Sequence, residues 1–409
     1  MRPPRPSDDL LLALPKTDLH VHLDGSLRLG SLIEMAQQRG VSLPSYTEEG
    51  LKKTVFKPTY ESLPDYLEGF AYTCAVLQDV EALERAAFEL AEDCIAEGVV
   101  YVEVRFAPQL HIHDNLSIDD ILKAVHRGLE RAKQDHAKKV AGTEAPVFAY
   151  GIIVCALRWF TGEFSQWYGR LCSLFPDARD VEVFGLASME LARAAVRLRD
   201  EDGLPIVGFD LAGREDGYPA HDHRDAFLHA HRHFLKKTVH AGEAYGPESI
   251  FDAITELNAD RLGHGYYLFD VEKCGGGVRQ PTEYVRSLSE YVADRRITVE
   301  VCITSNLQTN PTLERVEDHV FGEMLGKQLS ATLCTDNRLV SHTTVTREYR
   351  LACDAFAMTP SQLRNTIIHG FKRSFFPGSY SEKREWVRQI IDWYDAVALA
   401  HGWPSAWRG

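Results

Sequence analysis

Two histidines separated by one residue, His20 and His22, occur in a short run of apolar residues. On a β-strand, side chains two positions apart point to the same face, so both imidazoles could bind one metal ion. Such a pair is also common in ordinary packed cores and is weak evidence alone. A third histidine, His240, ends another apolar run and precedes Glu243 by three residues on a turn of small residues. This segment offers a third ligand and a nearby acid or base.

Two further polar side chains end apolar runs in the same way. His264 stands between two glycines, which would let other atoms approach its ring closely, and Asp336 follows Cys334 and Thr335. Taken singly, His264 could be a buried core histidine, Asp336 a helix cap, and Gly242 only a turn residue. The shared position of these groups at the ends of four predicted strands favours one common site.

The residue types at these positions predict a particular chemistry. Three imidazole nitrogens and one carboxylate are typical of a site for a divalent transition metal, most often zinc, with one position left for water. Water bound in this way ionises near neutral pH, and the hydroxide can attack an electrophilic carbon. Glu243 and His264 would then move protons during the attack. The pattern therefore indicates metal-assisted hydrolysis.

Eight segments rich in β-branched residues alternate with longer stretches whose apolar residues recur at helical spacing. The predicted strands are 18–23, 99–106, 147–157, 206–211, 237–241, 261–265, 297–303 and 330–335. The predicted helices include 81–97, 118–134, 188–200, 224–235, 247–257 and 281–294. Repeated βα units form a parallel sheet, and eight of them close into a (β/α)8 TIM barrel.

The polar side chains fall at the carboxyl ends of the predicted strands, where a TIM barrel carries its active site. We therefore expect an α/β fold in which residues 1–409 form a single (β/α)8 barrel domain with additional helices. Residues 27–96 are predicted to form a helical lid region, and 133–146, 161–185 and 271–281 to be loop insertions. Insertions at the rim can form lids or oligomer contacts, so homo-oligomer formation stays open.

Composition and charge narrow the class of protein. Of the 409 residues, 44% are hydrophobic and 25% charged, as in ordinary globular enzymes. A net charge of −14 repels nucleic-acid phosphates and anionic membrane surfaces, so neither is expected as a partner. The longest strongly apolar run, 147–157, is shorter than the about 18 residues that span a bilayer. Eight scattered cysteines without a C-x-x-C pair, and the lack of a signal-like start, favour a cytoplasmic protein with reduced thiols.

The stretches around these residues resemble the adenosine deaminase family of metal-dependent purine deaminases, and the similarity runs almost end to end. The matching segments are LPKTDLHVHLDGS at 14–26, SLPDYLEGF at 62–70, EGVVYVEVRFAPQL at 97–110, VGFDLAG at 207–213, KTVHAGE at 237–243, RLGHGY at 261–266, VEVCITSN at 299–306 and TLCTDN at 332–337. The resemblance implies hydrolytic deamination of adenosine and 2′-deoxyadenosine to inosine and 2′-deoxyinosine, in which hydroxide adds to purine C6 and ammonia leaves.

Carried over position by position, the resemblance also implies roles for the candidate residues. The catalytic Zn²⁺, one per chain, would be held by His20, His22, His240 and Asp336. Glu243 would donate a proton to purine N1, which makes C6 electrophilic. His264 would orient the water on the metal and help to deprotonate it, and Asp336 would also accept a hydrogen bond from the resulting hydroxide.

The same resemblance places four residues against the purine nucleoside. Asp24 would contact the ribose 5′-hydroxyl, the backbone N–H of Gly213 would meet purine N3, and His22 would lie beside the substrate. The family usually has a second consecutive aspartate that meets purine N7, and Asn337 replaces it here. Its amide can donate to N7 without a titrating proton, so adenine recognition is expected to survive.

Two arginines follow substrate-contacting positions and leave the choice of substrate open. Family members often carry an acidic residue where this chain has Arg214, and Arg338 follows Asn337. A pocket lined by both would tolerate an anionic substituent such as a 5′-phosphate. The alternative is that they pair with local carboxylates, Arg214 with Glu215 or Asp216. Adenosine, AMP, adenine and other 6-aminopurine nucleosides therefore remain candidates, whereas a non-catalytic binding protein would be expected to have lost a ligand or the acid.

Three further features have ordinary explanations beside functional ones. One apolar stripe at helical spacing could pack in the core or form a gate over a bound nucleoside; it consists of Leu63, Tyr66, Leu67, Phe70 and Cys74. Five histidines crowd one acidic stretch, where an exposed helix is expected rather than a second metal site; they are His221, His223, His229, His231 and His233. His111 and His113 are expected in a loop.

Overall fold

The computed structural model describes residues 3–61 and 63–404 of the chain. Within these ranges, eight parallel strands lie side by side in the order of the sequence. They are Lys16–His22 (β1), Val99–Phe106 (β2), Ala149–Leu157 (β3), Ile206–Ala212 (β4), Lys236–Ala241 (β5), Arg261–His264 (β6), Thr298–Val301 (β7) and Ala331–Leu333 (β8). Each strand pairs with the next, and a parallel bridge between Val21 and Asp336 joins the last strand to the first. The predicted (β/α)8 barrel is confirmed.

Helices surround the barrel and account for most of the remaining chain. In the described residues the α-helices are Asp8–Ala13 (α1), Leu29–Arg39 (α2), Glu48–Thr54 (α3), Leu63–Val76 (α4), Val80–Ala96 (α5), Ile118–Val140 (α6), Gln166–Leu174 (α7), Asp180–Asp200 (α8), Arg224–Arg232 (α9), Pro247–Thr255 (α10), Pro281–Arg295 (α11), Ile303–Thr309 (α12), Phe321–Gly326 (α13), Val345–Phe356 (α14), Pro360–Arg373 (α15) and Tyr380–Ala400 (α16). None of these helices is long and apolar enough to cross a membrane.

The last two strands are shorter than the sequence predicts. The β-branched residues up to 303 suggest a continuing strand, but β7 ends at Val301 and α12 begins at Ile303. The carboxylate of Glu348 accepts a hydrogen bond from the backbone N–H of Thr304 at 3.1 Å, which satisfies a donor in the first turn of α12. Tertiary contacts therefore override the local preference of these residues for a strand.

Two of the three predicted loop insertions contain helix, and that part of the prediction is wrong. Helix α6 continues to Val140, with side-chain ion pairs along its exposed face, so only the end of 133–146 is loop. Segment 161–185 contains α7 and the first turns of α8. These elements pack through a small aromatic cluster of Phe160, Tyr168 and Phe184, separate from the main core. Segment 271–281 is irregular up to the start of α11, as predicted.

The predicted lid region, residues 27–96, is helical and includes α2 to α5. Its middle part contacts the chain that follows β8. The hydroxyl of Tyr60 donates to the carbonyl oxygen of Val340 at 2.8 Å, and the hydroxyl of Tyr66 lies 2.8 Å from that of Ser341. This region therefore packs over the carboxyl end of β8, close to the polar residues described next.

Candidate metal centre and active site

The seam that closes the barrel also places a carboxylate beside the two histidines of β1. The backbone N–H of His22 donates to the carbonyl oxygen of Asp336 at 2.7 Å. The backbone N–H of Asp336 donates to the carbonyl oxygen of His20, also at 2.7 Å. Asp336 has a φ of +61°, in the left-handed region that a residue with a side chain adopts at a cost. These two hydrogen bonds hold it in this conformation.

The four predicted metal ligands converge on one point inside the barrel. Nε2 of His240 lies 3.0 Å from Nε2 of His20 and 3.2 Å from Nε2 of His22. Oδ1 of Asp336 lies 3.5 Å from Nε2 of His20 and 3.5 Å from Nε2 of His22. All four residues are buried, so no bulk water separates these atoms. The sequence-predicted set is therefore assembled from β1, β5 and the end of β8.

The outer nitrogens of two of these rings face carboxylates. Nδ1 of His20 lies 2.9 Å from Glu300, and Nδ1 of His240 lies 3.1 Å from Asp210. A carboxylate accepts a hydrogen bond from a ring nitrogen that carries a proton, so Nδ1 is the protonated nitrogen of each neutral ring. The lone pair is then on Nε2 and points inward. Several lone pairs that face one another at about 3 Å, beside a carboxylate oxygen, repel unless a cation lies between them. His20, His240, Asp336 and the neighbouring His264 each offer a ligand atom within 4.8 Å of the others, and Nε2 of His22 lies 3.2 Å from that of His240. These donors fit a divalent metal ion that accepts nitrogen and oxygen ligands.

The electrostatic environment keeps three of the four ligands, His22, His240 and Asp336, in the form that binds a metal. Burial lowers the pKa of His22 and of His240, so both rings stay neutral. Burial alone would raise the pKa of Asp336, but its hydrogen bond with His20 lowers it below the usual value. Neutral imidazoles and an ionised carboxylate are the protonation states that metal coordination requires.

His264 ends β6 beside this cluster, and its ring centroid lies 4.9 Å from that of His20. A side chain at the preceding residue would prevent this arrangement, because a Cβ on Gly263 would lie 2.8 Å from Cε1 of His20. His264 itself has a φ of +63°. Burial, followed by the charge of His20, lowers its pKa well below the usual value, so the ring is neutral.

Glu243 lies on the turn after β5, with one carboxylate oxygen 3.7 Å from Nε2 of His264. Its side chain is 11% exposed, which leaves it reachable by a small molecule but mostly screened from water. Burial, with the negative charges of Asp336 and Glu215 nearby, raises the pKa of Glu243 to about 8. This carboxyl therefore holds a proton at neutral pH and can donate it.

The turn that carries Glu243 is held by another glutamate, Glu215. From the sequence, Glu215 is expected only as a possible ion-pair partner of Arg214. Its buried carboxylate accepts hydrogen bonds of 2.6 to 3.0 Å from the backbone N–H groups of Gly242, Glu243, Ala244 and Tyr245 and from the hydroxyl of Ser249. Five donors on one carboxylate fix the course of this turn. Glu215 lies two residues after Gly213. An acidic residue so close to a predicted site residue was the only feature of the sequence that could have indicated this role.

Charged side chains also lie beneath the metal ligands, where branched apolar residues usually fill a barrel. Glu300 on β7 is fully buried and accepts hydrogen bonds from His20, Arg105, Thr238 and Arg261. Burial alone would raise the pKa of Glu300, but the positive charges of the two arginines hold it well below its usual value. No motif in the sequence indicates this network. Charged residues inside otherwise apolar strands were its only trace.

Asp24, the predicted contact to a ribose hydroxyl, lies two residues after His22 with its carboxylate 3.9 Å from that ring. Its Oδ1 atom is buried and has no hydrogen-bond partner among the described residues. Burial raises the pKa of Asp24 to about 7. Its carboxylate also lies near Cys74 and His111, with one polar atom of each within 4.8 Å of the others. A buried carboxyl oxygen without a partner is suited to receive a substrate hydroxyl.

Gly213 and Asn337, two further predicted substrate contacts, lie after β4 and β8. Gly213 has a φ of +96°, which a residue with a side chain rarely adopts. The amide nitrogen of Asn337 donates to the hydroxyl of Tyr66 at 2.8 Å, and its Oδ1 is buried without a partner in the described part of the chain. A Cβ on Gly25 would lie 1.8 Å from that oxygen, so Gly25 leaves the space that Asn337 occupies.

Both arginines considered for an anionic substituent are paired with carboxylates. Arg338 is partly buried and lies 2.6 Å from Glu97, so it pairs with a carboxylate, as in the alternative to an anion-tolerant pocket. Arg214 is exposed and lies 3.4 Å from Asp216, one of the two partners expected from the sequence. An exposed pair of this kind contributes little binding energy.

The remaining sequence features are mostly structural. In the apolar stripe Tyr66 is buried, Leu67 is exposed, and the ring of Phe70 lies 6.5 Å from that of His22, while the side chain of Leu63 lies outside the described residues. The ring centroids of His229 and His233 lie 4.6 Å apart with the rings tilted, but no third metal-ligating group joins them in the described ranges. His111 and His113 follow a short 3-10 helix, in irregular chain as expected.

Comparison with known proteins agrees with the geometry of the site. The family profile described as adenosine deaminase matches residues 15–200 and 185–393. Adenosine deaminase 1 of Streptomyces coelicolor is 35% identical over 393 residues, which cover 94% of this chain and 88% of that protein. The adenosine deaminase of Mycobacteroides abscessus is 37% identical over 380 residues, which cover 92% of this chain and 94% of that protein.

A solved structure with the same fold is that of an amidohydrolase from Burkholderia ambifaria with bound Zn. It superposes with a TM-score of 0.74 over 97% of this chain and 94% of that chain, at 18% sequence identity. At this identity the likeness concerns the arrangement of the barrel.

Proposed function

The chain belongs to the adenosine deaminase family, and we propose that it deaminates adenosine and 2′-deoxyadenosine hydrolytically, giving inosine, 2′-deoxyinosine and ammonia. The observation that carries this proposal is the assembly of four metal-ligand atoms next to a carboxyl that keeps its proton at neutral pH. Hydrolysis at an aromatic carbon needs both parts, because C6 of a purine accepts a nucleophile poorly until N1 is protonated.

We propose one Zn²⁺ per chain, held by His20, His22, His240 and Asp336. When bound, the ion would supply a Lewis acid that lowers the pKa of a water molecule enough to furnish hydroxide near neutral pH. Glu300 and Asp210 orient two of the imidazoles toward it through their Nδ1 atoms. Such partners tune metal affinity as well as ligand geometry.

The side chains around the metal ligands have different roles toward the substrate and the attacking water. Glu243 holds a proton at its carboxyl and donates it to purine N1, while the adjacent C6 is attacked. His264 and Asp336 orient the attacking water from two sides, through Nε2 and a carboxylate oxygen. Glu215 binds the backbone N–H of Glu243, whose carboxyl lies 3.7 Å from His264.

Recognition of the nucleoside would use polar groups around the same cleft. We assign the ribose 5′-hydroxyl to Asp24, purine N3 to the N–H of Gly213, and purine N7 to the remaining amide N–H of Asn337. His22 lies between the metal ligands and Asp24 and would contact the substrate as well. The partnerless oxygen of Asp24 supports its assignment, because a hydroxyl would satisfy it.

The helical region 27–96 would cover the bound nucleoside as a lid. Hydrogen bonds from Tyr60 and Tyr66 to the chain after β8 support this proposal. A cytoplasmic location is supported by the eight cysteines, all of which are free thiols in the structure.

A substrate panel tests the proposed function. Zinc-loaded protein is incubated with adenosine, 2′-deoxyadenosine, adenine and AMP, and ammonia release is measured for each. We expect the two nucleosides to be preferred and Asp24→Ala to reduce their turnover much more than that of any adenine side activity. Preference for AMP or adenine would contradict the proposed substrate while keeping the chemistry, and no turnover of any member would contradict the function itself.

A further inference from the structure

Two buried residues that the proposed reaction does not use, Asn306 and His319, form a chain of hydrogen bonds that ends on His264. Nδ2 of Asn306 lies 3.2 Å from Nδ1 of His264. Oδ1 of Asn306 lies 3.1 Å from Nε2 of His319. The backbone N–H of Phe321 donates to Nδ1 of His319 at 3.0 Å. The side chains of Asn306, His319 and His264 are all buried.

The direction of every hydrogen bond follows from its outer end. The N–H of Phe321 can only donate, so Nδ1 of His319 is an acceptor and carries no proton. Burial lowers the pKa of His319 to about 3, so the ring is neutral and its single proton is on Nε2. That N–H must donate, which makes the facing atom of Asn306 its oxygen. The amide nitrogen of Asn306 therefore points to His264.

The last hydrogen bond fixes the state of His264. Because the amide of Asn306 donates to Nδ1, that nitrogen is an acceptor and the proton of the neutral ring is on Nε2. Nε2 is the nitrogen that faces Glu243, and the ring of His264 lies 4.9 Å from that of the predicted ligand His20. A nitrogen that already carries a proton can donate a hydrogen bond but cannot accept a proton from water.

We propose that Asn306 and His319 are positioning residues that hold His264 as its Nε2–H tautomer, so that His264 acts as a hydrogen-bond donor to the attacking water and not as its base. The proposal rests on the proposed function for its catalytic meaning. It also changes the expectation that His264 helps to deprotonate the water.

Helix α12 supports both sides of this arrangement. Asn306 on this helix orients His264, and the neighbouring Ser305 donates to Oδ2 of Asp336 at 2.7 Å. That bond occupies the outer oxygen of the carboxylate and leaves Oδ1 toward the histidines. One short helix thus orients His264 and also binds the carboxylate of the predicted metal ligand Asp336.

The test compares Asn306→Asp with Thr309→Ala in the zinc-loaded protein. Aspartate keeps the size of the side chain but presents an oxygen to Nδ1, so His264 would have to place a proton there. Thr309 lies on the same helix and donates only to the carbonyl oxygen of Ser305, so its replacement serves as the control. Nitrogen-15 NMR of labelled histidines reports the tautomer of His264, whose signals are assigned from their loss in His264→Asn.

We expect wild-type protein and Thr309→Ala to show the Nε2–H tautomer, and Asn306→Asp to show a proton on Nδ1. We also expect Asn306→Asp to lower kcat for adenosine by about 10- to 100-fold with zinc content retained and KM little changed. A Nδ1–H tautomer in the wild type, or unchanged kcat in Asn306→Asp, would overturn the proposal.

Replacement of His319 gives a second route if Asn306→Asp folds poorly. Glutamine at 319 can still donate to Oδ1 of Asn306, whereas leucine cannot, so His319→Gln should keep the tautomer and His319→Leu should lose it. Equal spectra and equal kcat for these two variants would contradict the relay. The NMR readout needs no substrate, so a wild type that deaminates nothing would refute the proposed function while the spectrum still decides the tautomer.

Discussion

Glu243 must hold a proton at neutral pH if it is to give one to purine N1. Glu243→Gln removes that proton without changing the size of the side chain, and we expect kcat to fall by at least about 10²-fold while zinc remains bound. Inosine formation and elemental analysis of the same sample measure both quantities. Glu256→Gln, in an ion pair with Arg224 at the end of α10, is the control and should retain full activity. Near-normal turnover by Glu243→Gln would rule out this role.

The raised pKa of Glu243 also predicts how activity depends on pH. The carboxyl is protonated below its pKa of about 8 and loses its proton above it. The acid is therefore present at lower pH, and kcat/KM for adenosine should decline as the pH rises through this value. A cation held by the nearby ligands would lower that pKa, so we expect the decline at or below about pH 8. A rate that keeps rising to pH 9 would contradict the assignment of the acid.

Replacement of Glu215 tests whether catalysis depends on the position of Glu243 as well as on its proton. In Glu215→Gln one oxygen becomes an amide that faces backbone N–H groups, so the turn of residues 242–245 loses acceptors and shifts. A displacement of the acid by about 1 Å is expected to lower kcat about 10²-fold with zinc retained. Asp216→Asn, one position along and exposed, should have no such effect. Equal activity of the two variants would show that the turn does not need this carboxylate.

The residues that carry chemistry could be predicted because their types and their strand-end positions are visible in the chain. His20, His240, Glu243 and Asp336 all belong to this class. Glu215 and Asn306 could not be recognised in the same way, because each acts by orienting a group far away along the sequence. Their partners become neighbours only when the barrel closes.

At the scale of elements, the barrel interior is held by charges as well as by apolar packing. Glu300→Gln leaves two buried arginines with one negative partner fewer, and we expect the free energy of unfolding to fall by about 3–5 kcal/mol. Zinc affinity should fall about 10- to 100-fold, because His20 loses its orienting carboxylate. Urea unfolding and a competing chelator measure the two effects.

The matched control for this change is Glu290→Gln on α11. Glu290 forms an exposed ion pair with Arg286 at 2.9 Å, and the loss of such a pair is expected to cost about 0–1 kcal/mol. If Glu300→Gln is no less stable than Glu290→Gln, the buried network does not stabilise the barrel in the way inferred here.

Most strands and helices were predictable from apolar periodicity, and the exceptions have a common physical origin. Helix α12 begins inside a run that favours a strand, because a glutamate on α14 binds its first turn. Helix α7 lies where composition suggests a loop, and the ring of its Tyr168 packs against that of Phe160, which precedes the helix in the chain. In both cases contacts between elements, which a single sequence does not display, decide the local conformation.

For the molecule as a whole, the number of strands and the position of the polar residues along them were enough to predict a TIM barrel. The seam between β8 and β1 is the feature that makes the barrel a candidate enzyme, since it brings Asp336 to His20 and His22. The family assignment and the geometry of the site therefore lead to the same expectation, that metal binding and activity are inseparable.

A zinc titration of the metal-free protein, followed by inosine formation from adenosine, measures this connection most directly. The account predicts that activity rises in proportion to added zinc and reaches its maximum at one equivalent per chain. It also predicts that His240→Ala neither binds this equivalent nor gains activity. Full activity without metal, or an active His240→Ala protein, would contradict the central claim that these residues hold the ion on which deamination depends.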